Sequence, residues 1–417
     1  MTLLFRSLFL ASALAAAASS PLPAAPPPEE ITLERALDLF LTRNADILAS
    51  RYDVDKAAAD LVGAKLRPNP GLSFNYNAIE FGNGRGVRLG DNTLLALRLD
   101  QLLELGGKRG LRADVAGSSL EAAKLAHQDT VRTLVAGFYG LFFSLLQDRE
   151  AVDFARDELA RSDKLLEVAE KRYAAGALPL LDEMKLKLSR VDLESDLASA
   201  ENQLRDDQEF FAVLLGGDKA YVPARTDAPA AVEEFQEDAL LKAAAEARPD
   251  LLALGKQLAA EESARKLARA NGWPNLDVGA EYDALGTQPQ PAFGFGLSLS
   301  LPLFNRNQAE ILKADYEVEQ TKIRIDKLRR QIAAEVRQAL DDCRTAFRIL
   351  AGYRAREAEM ADLLDRTGQA FARGGTTVLD LLDTRKTHRE FMAKYRQAQL
   401  RSRLGLALLK IAAGGLS

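Results

Sequence analysis

The chain has 417 residues, room for two or three ordinary globular domains, and is 47% hydrophobic but only 7% aromatic, with 28% charged residues. Richness in Ala and Leu with abundant Glu, Lys and Arg favours long helices over a compact α/β enzyme. A formal charge of −5 excludes a basic nucleic-acid binder; one cysteine (Cys343) excludes an intrachain disulfide, and two histidines (His127, His388) leave little for a metal site.

Residues 1–18 carry the marks of an export signal. Arg6 gives a positive start, Ser7 to Ala18 is a short apolar stretch, and Ala16-Ala17-Ala18 is a small-residue cleavage candidate. The stretch is shorter than the roughly 20 apolar residues of a membrane-spanning helix. A disordered cytoplasmic N-terminus is the competing reading. Residues 19–30, with Pro21, Pro23, Pro26, Pro27 and Pro28, are expected to be extended and disordered. No cysteine near the cleavage region offers a lipid anchor, and no later stretch reaches transmembrane length, so membrane insertion would have to be by β-strands.

From residue 31 the expected order is helix, two strands, a very long helix, a tight turn and a final helix, and then the same again. Strands are expected at about 72–79, 93–101, 276–283 and 293–301. Leu72, Phe74, Tyr76 and Ala78 alternate with Ser73, Asn75 and Asn77; Phe293, Phe295, Leu297, Leu299 and Leu301 alternate with Gly294, Gly296, Ser298 and Ser300. The connections Glu80–Asp91 and Asp283–Ala292 are rich in Gly, Asn and Pro. Proline is absent between Pro70 and Pro179 and after Pro302. Leu111 to Tyr173 would span about 95 Å as a helix. Leu193, Leu197, Ala200, Leu204, Phe211 and Leu214 keep steps of three and four, interrupted at Asp207, as in a coiled-coil seam. Gly137 and Gly140 read as points of close helix approach or a kink. Cys343 reads as a small buried residue, His127 and His388 as surface helix positions, and Trp273 as a residue of the membrane interface.

The chain is written twice. Tyr173-Ala-Ala-Gly176-Ala-Leu-Pro-Leu-Leu181-Asp182 matches Phe371-Ala-Arg-Gly374-Gly-Thr-Thr-Val-Leu379-Asp380 without a gap, at an offset of 198 residues. Ala45-Asp46-Ile47-Leu48-Ala49 matches Pro249-Asp250-Leu251-Leu252-Ala253, and Pro68-Asn69 matches Pro274-Asn275. Residues 31–215 and 236–417 are therefore expected to be two copies of one unit, with 216–235 as linker. Strand alternation fits a transmembrane barrel and equally a soluble sheet with one wet face. Four strands cannot close in lipid alone, because an open edge leaves backbone groups unpaired. Two chains would give eight strands and three would give twelve, and a water-filled lumen favours the larger number.

Signal peptide, twofold repeat, paired hairpins and long helices ending in Gly-x-x-x-x-Leu-Asp turns resemble the TolC family of outer-membrane efflux proteins. The resemblance implies a mainly α chain with a small transmembrane β part. It implies a homotrimer, with a 12-stranded β-barrel in outer-membrane lipid continued by a 12-helix periplasmic tunnel. Its implied partners are a periplasmic adaptor and an inner-membrane pump of the resistance-nodulation-division type; no cofactor and no catalysis are implied. Glu104-Leu105-Gly106-Gly107-Lys108-Arg109 is similar to a segment of the cobalt–zinc–cadmium resistance branch, which implies heavy-metal cargo selected by the pump. Asp380 and Asp383 match the aspartates that ring the tunnel entrance in this family, and Asp182 and Glu183 follow the first tip; capping of the following helix accounts equally for Asp182 and Asp380. Phe371 and Thr376 stand where the family's gate uses a tyrosine and an arginine, with Arg373 or Arg385 as candidate substitutes. Gly176, Leu181, Gly374 and Leu379 are the expected adaptor-docking positions, or simply a turn glycine and a core-capping leucine. A periplasmic coiled-coil scaffold and a type I protein-secretion duct are the rival functions.

Overall fold

The structure, a computed structural model, describes residues 28–81, 87–217, 219–226, 235–285 and 292–415. The expected signal peptide, the proline run to residue 27, the tips of both strand hairpins and Pro229 of the linker lie outside the described residues.

Strand β1 (Glu29–Ile31) leads into helices α1 (Leu33–Arg43) and α2 (Ala45–Lys65), then strands β2 (Gly71–Phe81) and β3 (Val87–Leu103). Helices α3 (Lys108–Ala174) and α4 (Leu180–Leu214) form the first long hairpin, and β4 (Tyr221–Pro223) follows. The order then recurs as α5 (Glu237–Ala247), α6 (Pro249–Asn271), β5 (Leu276–Leu285), β6 (Ala292–Leu299), α7 (Gln308–Ala372) and α8 (Val378–Ala412). Helix α3 has 67 residues and α7 has 65, about 100 Å each at about 1.5 Å per residue. Nothing in a single chain can bury helices of that length all round, so they pack side by side.

The four longest helices, α3, α4, α7 and α8, end by one device. Gly176, Gly216, Gly374 and Gly414 all adopt positive φ, which glycine reaches without steric cost. Each donates its amide back into the last turn, as does the residue after it: Gly176 to Tyr173 and Ala177 to Arg172, Gly374 to Phe371 and Gly375 to Ala370. At Gly216 a Cβ would stand 2.5 Å from the Arg43 carbonyl oxygen, so no other residue fits without movement.

Two short segments depart from expectation. Glu29 and Glu30, placed in the disordered run, pair in parallel with Tyr221 and Val222 of the expected linker. Arg149 fixes the junction, donating to Glu30 and to the Pro223 carbonyl. An edge of three residues suffices because ion pairs to α3 hold it there. The first hairpin is also longer than expected: Phe81 pairs with Val87 and Glu80 with Arg88, so the ladder extends into the expected connection Glu80–Asp91, with an irregularity between Asn77 and Ile79.

The largest core joins α1, α3 and α4. Phe40, Phe138, Phe142 and Phe211 are fully buried, with ring centroids 5.0 to 6.0 Å apart. Gly137 and Gly140 have open space where a Cβ would stand, contrary to the expected close approach. Close helix approach is found instead at Gly405 of α8, where a Cβ would lie 3.4 Å from Cα of the buried Cys343 on α7.

Candidate functional site: the two sheet faces and the helical tips

Strands β2, β3, β5 and β6 form one antiparallel sheet in the order β2-β3-β5-β6. Its register puts Phe74 opposite Leu97, Leu97 opposite Tyr282 and Tyr282 opposite Phe293; one row along, Leu72, Leu99, Ala280 and Phe295 line up. These residues share one face because successive side chains alternate. That face is exposed in the chain: Phe295 is 90% and Leu297 74% accessible. The opposite face carries Ser73, Asn75, Arg98, Asp100, Asp277, Gly279, Glu281, Asp283, Gly294, Gly296 and Ser298. An antiparallel sheet in water normally buries its apolar face; this one leaves that face exposed.

The joint between sheet and helices is tightly built. Gly106 and Gly107 both have positive φ, and Lys108, at the start of α3, is buried. Its Nζ donates to the Trp273 carbonyl (2.8 Å) and to Asn275 Oδ1 (2.6 Å), tying the first strand-to-helix joint to the second helix-to-strand joint. Arg112 grips both oxygens of Glu104. The segment singled out by sequence is thus a structural tie. Trp273 is well exposed beside it, at the foot of the sheet.

At the far end the two long hairpins share one small core: Leu165, Ala169, Leu178, Leu186, Phe371, Val378 and Leu381. Arg172 stacks on the Phe371 ring, 4.9 Å from its centroid, and donates to the Phe371 carbonyl. Phe371 is therefore a core residue of the chain. The tip leucines do not cap that core: Leu181 is 64% and Leu379 68% exposed, and Leu178, Val378 and Leu381 fill the interior.

The four expected gate carboxylates fall into different settings. Asp380 forms a capping box with Thr377, accepting from its hydroxyl at 2.6 Å and from its amide, and Thr376 donates to the same oxygen at 3.2 Å. These donors hold its carboxyl below the usual carboxylate range, the Thr377 hydroxyl most of all. Asp182 pairs with Lys185 at 3.1 Å. Glu183 is buried and accepts from Lys187 at 2.7 Å, so within the chain it faces the helix packing instead of open space. Asp383 is exposed and has no hydrogen bond or ion pair among the described residues.

Two positions were misplaced by sequence reasoning. His388 is buried, 3.7 Å from Glu158 and 5.7 Å from the Phe154 ring centroid, and burial pushes its pKa down. Arg385, a candidate gate residue, is turned toward α3, where it donates to the Arg161 carbonyl at 3.4 Å. The missed signal is a heptad: Leu381, His388, Tyr395, Ser402 and Leu409 recur every seventh residue, and all five are buried. His127, by contrast, is half-buried and hydrogen-bonded to Ser50 at 2.7 Å. Among the described residues no group of His, Cys, Asp and Glu is arranged to hold a metal, and no helix is long and apolar enough to cross a membrane.

An exposed apolar sheet face backed by a polar one, set on helices about 100 Å long, defines the class: a membrane channel protein anchored by strands, with a helical extension. The chain belongs to the outer membrane efflux protein family, whose sequence model matches residues 36–217 and again residues 240–414. It is a channel protein of the cell outer membrane that serves efflux, with a periplasmic helical extension. It is 26% identical to the cobalt-zinc-cadmium resistance protein CzcC of Cupriavidus metallidurans, over 68% of this chain and 66% of that relative. It is 25% identical to the pyoverdine export outer membrane protein OpmQ of Pseudomonas putida, over 92% of this chain and 86% of that one. In fold it is similar to CusC, with a TM-score of 0.78 at 17% identity and 92% of each chain covered. The outer membrane protein VceC of Vibrio cholerae gives a TM-score of 0.74 at 17% identity, over 92% of this chain and 96% of that one.

Proposed function

We propose that three copies of this chain close a twelve-stranded barrel that continues into a twelve-helix tunnel, forming the passive exit duct of a tripartite efflux system. The observation that carries this reading is the sheet itself. Its edges, β2 and β6, are unpaired in one chain, and its exposed apolar face suits lipid. An open edge cannot stand in hydrocarbon, so β6 of one copy must pair with β2 of the next. Residues 31–215 and 236–417 are read as the two repeats that supply each copy's two hairpins, joined by 216–235. Residues 1–18 are read as the export signal.

The tips are read as the docking surface for a periplasmic adaptor, which would link the duct to an inner-membrane pump of the resistance-nodulation-division type. Gly176 and Gly374 set identical turns that present Leu181 and Leu379 outward, and a trimer would repeat that contact six times. Heavy-metal cations are the proposed cargo, supported by the similarity to CzcC. No step of catalysis is assigned to the duct.

The first test is the native mass of the mature protein extracted from outer membranes in detergent. Three copies are expected. A water-soluble monomer or dimer that needs no detergent would overturn the reading in favour of a periplasmic scaffold.

A further inference from the structure

On the polar sheet face the placement of one arginine is unusual. Arg98 of β3 donates through Nε to Asp100 at 2.7 Å and pairs through Nη1 with Glu281 of β5 at 3.6 Å. Its guanidinium lies down across the sheet instead of standing up from it. A Cβ built on Gly279 would meet Asp100 Oδ1 at 2.5 Å and Arg98 Nη2 at 3.0 Å; one on Gly296 of β6 would lie 3.6 to 3.9 Å from the guanidinium atoms. The plane therefore rests over two glycines on two neighbouring strands. Around it stand the acidic residues Asp100, Asp277, Glu281 and Asp283.

We propose that Arg98 is a specificity-determining residue of the duct: lying in the cradle of Gly279 and Gly296, it masks Asp100 and Glu281 and so limits the cation preference of the barrel lumen. The inference rests on the barrel reading above, which turns this face inward. Asp277 and Asp283 each keep one carboxylate oxygen that is buried with no hydrogen-bond partner. With Arg98 in place, Asp100 and Glu281 are charge-paired, whereas Asp277 and Asp283 have no ion pair among the described residues. A threefold assembly repeats the set around the bore, where rings of charged side chains bias which ions enter. The flat posture also keeps a long side chain out of the bore. Glycine at 279 follows from this, since any side chain there would lift the guanidinium or push Asp100 away.

The test is the reversal potential of single channels in planar bilayers under a KCl gradient at about 10 mM, where the Debye length of about 30 Å lets wall charges act across the lumen. It is run in the wild type and in an Asp380→Asn, Asp383→Asn background, so that the tips do not set the result. Arg98→Gln should raise the cation-to-anion permeability ratio by about twofold, and Glu281→Gln should lower it. Trimer mass in detergent confirms that each variant assembles. Wild-type channels that conduct while Arg98→Gln and Glu281→Gln leave the reversal potential unchanged in both backgrounds would overturn the role of Arg98 and leave the duct standing. Failure of the wild type itself to form trimers or channels would instead overturn the duct.

Discussion

At the scale of single residues, the tips show how one residue type serves different ends. Asp380 is held by three donors, all of them local to the start of α8. The capping explanation therefore accounts for its position without reference to a lumen. Asp383, a turn further on, has no such local employment. Asp383→Asn is accordingly expected to lower cation preference, or block by multivalent cations, more than Asp380→Asn does. Asp380→Asn should act mainly by loosening the first turn of α8, seen as faster amide exchange at Val378 to Leu381. Equal effects of both substitutions on selectivity, with no change in exchange, would show that the cap does not govern Asp380. Glu183→Gln should leave selectivity unaltered, since its carboxylate is buried against Lys187. Which carboxylates cluster at the tips was legible from the repeated turn. Which of them point outward was not, because that depends on the rotation of each helix about its axis. His388 carries the same lesson: read alone it is a polar residue with no partner, read every seventh residue it belongs to a buried row.

At the scale of elements, the long helices were legible because proline and the heptad pattern write their limits directly. The seam on α4 holds as expected, with Leu193 and Phe211 buried. Its interruption at Asp207 has a physical content that the sequence did not give. Asp207 accepts from Ser144 of α3 at 3.3 Å and from Gln203 at 3.0 Å, and it faces Asp148 of α3 across the seam. Burial first, and then the neighbouring Asp207, push the Asp148 carboxyl up to about 7. A raised folded-state value means that the folded chain holds a proton the unfolded chain has released. The contribution of this pair is therefore complete below about pH 4 and is lost as pH rises through about 7. Thermal unfolding of the detergent-solubilised protein should show a falling midpoint between pH 5 and pH 8. In Asp207→Asn that fall should shrink, with a gain on the order of 1 kcal/mol at pH 8 after allowance for partial solvent exposure. Parallel pH profiles for the two proteins would remove the pair from the account. The short elements were less legible: three-residue strands such as β1 and β4 carry no period, and what fixes them are contacts between distant residues, Arg149 to Glu30 and Lys219 to Glu29, the latter 190 positions apart.

At the scale of the whole molecule, the single chain is incomplete in a specific way. Its sheet leaves the apolar face exposed, its two edges are unpaired among the described residues, and large apolar side chains such as Phe210, Val213, Tyr316 and Ile323 stand exposed along the long helices. The proposed barrel would turn the sheet face to lipid, and the proposed trimer would cover the helix faces with further copies. Strand alternation in the sequence allowed a wet sheet or a membrane barrel. The register decides that all four strands turn their apolar residues to the same side, a coincidence of pairing that no single strand can reveal. Adjacent residues on β6 make a test, because they differ in face and hardly in depth. Leu297→Arg should cost about 2–4 kcal/mol per chain if it falls near the bilayer midplane, and less toward either interface. Ser298→Arg, one residue on, turns its charge to the polar side and should be tolerated. The readout is the fraction of protein recovered as trimer from outer membranes, or folded into lipid vesicles from denaturant. Loss of assembly in Leu297→Arg alone is the expected outcome. Equal assembly of both variants would mean that the exposed apolar face does not meet lipid, and equal loss would mean that β6 tolerates charge on neither side, as in a strand packed between protein layers.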